Sequence, residues 1–176
     1  MKTKYLVGSL LVLGTLLVQN VQAQNNLTTT ATERYFNVIR TSLEASAEQM
    51  PADKFSFRLT PGQMTFAQWM THSAGSNYGP CATLRGQERP EAAAKVGDLT
   101  DKAAVSQAVK DSFAYCAEAL KGLDDQKVLA TPQLTNALLQ TVVHNNEIYG
   151  NIVGYLRVSG IVPPSTARAQ KGKKKK

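Results

Sequence analysis

At 176 residues the chain has the length of one domain, and a hydrophobic share of 43% is enough for a packed core, which excludes a disordered chain. Two cysteines are too few for a disulfide-built scaffold. The formal net charge of +7 overstates the basicity of the body: without Lys2, Lys4 and the six basic residues from Arg168 onward, twelve basic side chains stand against 13 acidic ones, and no basic stripe with interleaved aromatics remains to hold nucleic acid.

Lys2 and Lys4 precede the apolar run Tyr5 to Val18, and Val21-Gln-Ala23 carries small residues at the positions a signal peptidase reads. Residues 1–23 are expected to be a secretory signal peptide, cleaved after Ala23, with the mature chain in the periplasm or secreted. The run is short for a transmembrane helix of about 20 residues. No cysteine lies near the cleavage region to take a lipid.

Residues 24–166 are expected to form the folded domain. Thr30-Ala-Thr-Glu33 is a capping-box pattern that opens a first helix, with Tyr35, Val38, Ile39, Ser42, Leu43 and Ser46 on one face. Met50-Pro51 ends it, because a residue before proline avoids the helical region. The linker 52–62 alternates Phe55, Phe57 and Leu59, which predicts an extended path with those side chains buried. A second helix starts at Thr65, with Gln68 as its capping partner. Phe66, Trp69, Met70, Ser73 and Asn77 trace its stripe, His72 borders the stripe, and Gly79-Pro80 weakens the end, which Cys81 closes.

Residues 85–100 lack helical apolar spacing and form the longest connection. Thr100 is expected to cap a third helix with Val105, Ala108, Val109, Ser112, Phe113, Cys116 and Leu120 inward, stopped by Gly122. Thr131-Pro132 opens a fourth, with proline at the first helical position. It runs to Val158 with Leu134, Leu138, Thr141, Ile148, Ile152 and Tyr155 inward. Four such helices with one long crossover, between the second and third, predict an all-α four-helix bundle.

The succession Phe57-Arg-Leu-Thr-Pro-Gly62, Met64-Thr-Phe-Ala-Gln-Trp-Met-Thr-His72, Ser112-Phe-Ala-Tyr115, His144-Asn-Asn-Glu-Ile-Tyr-Gly150 and Tyr155-Leu-Arg157 with Gly160-Ile-Val-Pro-Pro164 resembles the DinB/YfiT-like family of metal-binding four-helix bundles. The resemblance covers most of residues 30–166. It implies an up-down-down-up bundle and the capacity to form homodimers. It also implies a divalent metal held by three histidines, one from the second helix and a His-x-x-x-His pair from the fourth, serving thiol-S-transferase or hydrolase chemistry. His72 matches the first ligand and His144 the second, while the third position falls on Ile148, a hydrocarbon.

A catalytic zinc site commonly has three protein ligands and an open position. His72 and His144, with Glu147 as a candidate third donor on part of the same helix face, would make a weak zinc, nickel or iron site. The other reading is two partly buried, hydrogen-bonded histidines with Ile148 filling the former ligand's space and no resident cofactor. In an exported protein the lone pair Cys81 and Cys116 is expected to form a disulfide, two free thiols being the alternative. Tyr149, Tyr155 and Arg157 either line a pocket or pack at a bundle end. Asp124-Asp125 is expected to be a solvated turn. Residues 167–176 are expected to be a disordered basic tail, touching anionic lipid or another envelope polyanion or serving only solubility. No catalytic residue is identifiable. The sequence therefore supports a non-catalytic binding or structural module of the cell envelope, or a metal-dependent hydrolase or thiol-S-transferase with a further ligand.

Overall fold

The computed structural model describes residues 26–174; the expected signal peptide, residues 1–23, lies outside the described residues. The order is α1 (Leu27–Gln49), a 3₁₀ turn (Ala52–Lys54), α2 (Phe66–Arg85), α3 (Ala92–Lys95), α4 (Lys102–Leu120), α5 (Asp125–Ala130), α6 (Pro132–Val158) and α7 (Pro164–Lys173). The long helices α1, α2, α4 and α6 form the bundle: α2 packs on α4 and α6, and α1 packs on the same two. Asn77 of α2 meets Ser112 of α4, and four residues on Cys81 meets Cys116, so these two helices run in the same direction. Among the described residues no strand forms, and no helix is long and apolar enough to cross a membrane.

The helical stripes read from spacing mostly reach the core. Phe66, Met70, Ser73 and Asn77 of α2, Val105, Val109, Phe113 and Cys116 of α4, and Leu138, Ile148, Ile152 and Tyr155 of α6 are buried. In α1 the buried face is shifted from the expected one. Ile39, Ser42, Leu43 and Ser46 are buried as expected and Phe36 and Ala47 join them, while Tyr35 stays 64% and Val38 41% exposed.

The helix ends differ from the sequence reading where the partner is distant. Thr30 and Glu33 do not open α1, which begins at Leu27. Its first-turn amides are taken by Asp125, whose carboxylate accepts from Thr28 N and Thr29 N at 2.8 Å each. Asn26 Oδ1 in turn accepts the Asp125 amide at 3.0 Å. Asp125 is thus buried and occupied, not a solvated turn, and Asp124 caps α5 through the amide of Lys127. At the other end of α1, Lys102 Nζ donates to the carbonyls of Glu48 and Met50 at 2.8 Å each, covering groups that a helix leaves unsatisfied.

The linker makes a 3₁₀ turn rather than a fully extended path, yet Phe55 is buried, with Phe57 and Leu59 partly so. The carbonyls of Phe57 and Phe55 accept the amides of Phe66 and Ala67 at 2.9 Å each, so the linker seats the start of α2. The Thr65–Gln68 capping box forms as expected. Contrary to expectation, α2 does not weaken at Gly79-Pro80 but continues to Arg85, where Gly86 adopts φ 63°. A helix-interior proline removes one bond to the carbonyl four residues back. Here that residue is Ser76, which lines an open cleft where solvent can take the bond.

Asp101, not Thr100, caps α4, accepting from Ala103 N and Ala104 N at 2.9 and 3.1 Å. The crossover holds the one-turn α3, whose Ala93, with Val96 just after it, is buried. The C-terminal segment is corrected as well: residues 164–173 are helical, and disorder was expected from residue 167. Pro164 takes the first helical position, and alanine, arginine, glutamine and lysine favour a helix. Three hydrogen bonds tie it to the bundle: the Tyr149 hydroxyl accepts Ser165 N and donates to Ser165 Oγ, at 2.9 Å each, and Arg168 Nη2 donates to Ser42 Oγ at 2.9 Å.

Candidate functional site

α2 and α6 bring His72 and His144 together, with ring centroids 5.0 Å apart and planes at 79°. The pair is not in the core. His72 is exposed and the His144 side chain is 36% exposed, so of the two rings expected to be partly buried only that of His144 is. They stand at the surface because both helices turn their buried stripes one step further round. Ser73 and Asn145, the residues that follow each histidine, are the ones that point inward.

Trp69 sets one wall. Its ring lies 6.3 Å from His72, and its Nε1 donates to the Tyr155 hydroxyl at 3.2 Å. Tyr155 is fully buried and donates to the Met64 carbonyl, so the aromatic wall is tied to the linker before α2. Partial burial, then the neighbouring His144, lower the pKa of His72 below its usual value, while Glu147 opposes them. The His144 Nδ1 stands 3.8 Å from Glu147 Oε2, and the Glu147 side chain is 73% exposed.

Under the histidines lies a buried polar chain. Ser73 Oγ donates to Asn145 Oδ1 at 2.7 Å, Asn145 Nδ2 donates to Asn77 Oδ1 at 2.7 Å, and Asn77 Nδ2 donates to Ser112 Oγ at 3.2 Å. Asn145 Nδ2 also donates to the Thr141 carbonyl at 3.0 Å, and Ser112 Oγ to that of Val109 at 2.9 Å. The chain joins α2, α4 and α6. Asn145 was absent from the sequence reading. Its signal was available, since it lies four residues from Thr141 on the inward stripe.

Two clefts open beside the pair. One, of ≈ 260 Å³, is bordered by Ser76, Pro80, Gln140, Thr141 and His144, with Asn77 and Asn145 at its base. The other, of ≈ 480 Å³, lies on the His72 side and reaches the crossover segment. Ser76 lines both. Tyr149 and Tyr155 are buried, Arg157 is exposed, and none of the three borders either of these two clefts.

The donor set does not fit a three-histidine metal centre. Ile148, at the third position that the resemblance implies, is 1% exposed and sits in the hydrophobic core. Among the described residues no three side chains of histidine, cysteine, aspartate or glutamate converge as metal donors. Cys81 of α2 and Cys116 of α4 are paired at disulfide distance, with Cα atoms 5.1 Å apart. That separation is within the range of about 4.4–6.8 Å that a disulfide requires.

A family model described as the DinB superfamily matches residues 35–147. No curated protein and no solved structure matches the chain.

Proposed function

The chain belongs to the DinB superfamily, and from that premise we propose that it is an exported, non-catalytic binding module of the cell envelope whose ancestral metal site has been dismantled. One observation supports the reading: Ile148, at the position where the family resemblance implies a third ligand, is a buried hydrocarbon. Two imidazoles at the surface cannot supply the three-ligand set with an open position on which metal-assisted hydrolysis relies. Export is supported by the signal-type pattern of residues 1–23 and by the Cys81–Cys116 pairing, a bond that persists in oxidising compartments. The lysines of α7 and beyond would add contact with anionic lipid or another polyanion of the envelope, and the bundle would be free to pair as a homodimer.

A second reading rests on the 5.0 Å approach of the two imidazoles. In it, His72 and His144 hold a divalent metal with a third donor from elsewhere, Glu147 being the nearest carboxylate, and the protein is a hydrolase or thiol-S-transferase. Metal analysis of purified protein separates the two. Stoichiometric zinc, nickel or iron that is lost in His144→Ala overturns the first reading. Protein whose melting temperature ignores added metal overturns the second.

A further inference from the structure

The ≈ 480 Å³ cleft on the His72 side falls within the range of about 300–1,000 Å³ typical of small-molecule sites. Its ionisable lining residues are His72 and Arg89, and no lining residue is acidic. Arg89 comes from the crossover segment and is exposed, and its Nη2 donates to the Gly75 carbonyl at 3.1 Å. A guanidinium has five donors, so this bond orients the fork and leaves most of it for a ligand.

Two of the residues that line the cleft, Gly75 and Gly97, carry no side chain. A Cβ added at Gly75 meets nothing within 4 Å, and the same holds at Gly97 across the cleft. Glycine inside a helix costs about 0.8–1.0 kcal/mol relative to alanine. Gly75 thus stands in α2 against local helix preference, on the cleft lining and with open space where its Cβ would be. Met64, Ala93 and Ala94 give the wall an apolar part, beside the polar side chains of Gln68, Thr71 and Ser76.

We propose that this cleft binds a small organic carboxylate, with the Arg89 guanidinium taking the carboxylate as a fork and the wall of Met64, Ala93 and Ala94 taking a short apolar body. Arginine suits this role because its planar donors match the two carboxylate oxygens. The inference goes beyond the reading above and does not depend on it, since Arg89 acts whether or not the histidines hold a metal.

The test is an NMR titration of the ¹⁵N-labelled protein, in EDTA, with hexanoate, its uncharged amide hexanamide, and inorganic phosphate. Hexanoate is expected to give saturable shifts at Gly75, Ser76, Ala93 and the Arg89 side chain, with the other two probes weaker by about ten-fold or more. Arg89→Gln is expected to weaken hexanoate by about ten-fold or more, with Arg89→Lys recovering part of the loss. Gly75→Leu is expected to block binding while the amide spectrum stays folded. Absence of saturable shifts, an equal response to hexanamide or phosphate, unchanged affinity in Arg89→Gln, or undiminished binding in Gly75→Leu would each overturn the proposal. The EDTA keeps the result separate from any metal at the histidine pair.

Discussion

The Asp125 carboxylate accepts the backbone amide of Thr29 at 2.8 Å across 96 residues of chain. It serves as the N-terminal cap of a helix to which it does not belong. Burial pushes the Asp125 pKa up, but the hydrogen bonds from Thr28 and Thr29 outweigh it, and the net value lies below the ordinary one. The stabilisation is therefore present above the unfolded pKa of about 3.9 and is lost as pH falls through the depressed folded value. Asp125→Ala should lower stability by about 1–2 kcal/mol at pH 7, the usual range for a lost cap. Urea melts at pH 7 and pH 3 check this: the gap between wild type and variant should shrink at the lower pH.

Asn145 should be the least replaceable polar residue of the bundle. It bonds Ser73, Asn77 and the Thr141 carbonyl while 1% exposed. Asn145→Ala removes those bonds and leaves buried partners unsatisfied, so a loss of about 2–4 kcal/mol is expected in chemical denaturation. Asn145→Asp should be no better, because it brings a charge into a dry site.

Reduction of the Cys81–Cys116 pair releases a loop with a sequence separation of 35 residues. The chain-entropy treatment puts this at about 3–4 kcal/mol. A clear fall in melting temperature with dithiothreitol is expected in the wild type and none in the Cys81→Ser/Cys116→Ser double variant.

Ile148→His returns an imidazole to the position that the family relation implies. The variant should lose stability without metal, since it buries a polar ring in an apolar place. It should regain about 2–3 kcal/mol at zinc concentrations near one hundred times its dissociation constant. Calorimetric titration with zinc checks this. If the variant takes up no zinc, the placement of Ile148 at the ligand position is wrong.

The long helices were readable because their signal is local: three- and four-residue spacing decides which side of a helix meets oil, as with Phe66, Met70 and Asn77. The Thr65–Gln68 box was readable for the same reason. The start of α1 was not, because its cap comes from Asp125, and nothing near Thr28 announces that partner. Helix α2 passes Pro80 because its unpartnered carbonyl lies beside an opening, a property of three dimensions. Periodicity alone did not join the two histidines. The family resemblance singled out both His72 and His144, and the stripe of the second helix already held Ser73, whereas the inner place of Asn145 was missed.

The clasp between Thr28 and Asp125 also imposes an order on biosynthesis. Ninety-seven residues separate donor and acceptor, so α1 leaves the ribosome long before its cap exists. Most helical stability in proteins comes from tertiary packing rather than from propensity, and α1 packs on α4 and α6. The amino-terminal third should therefore stay pliable until the last third is present to close on it.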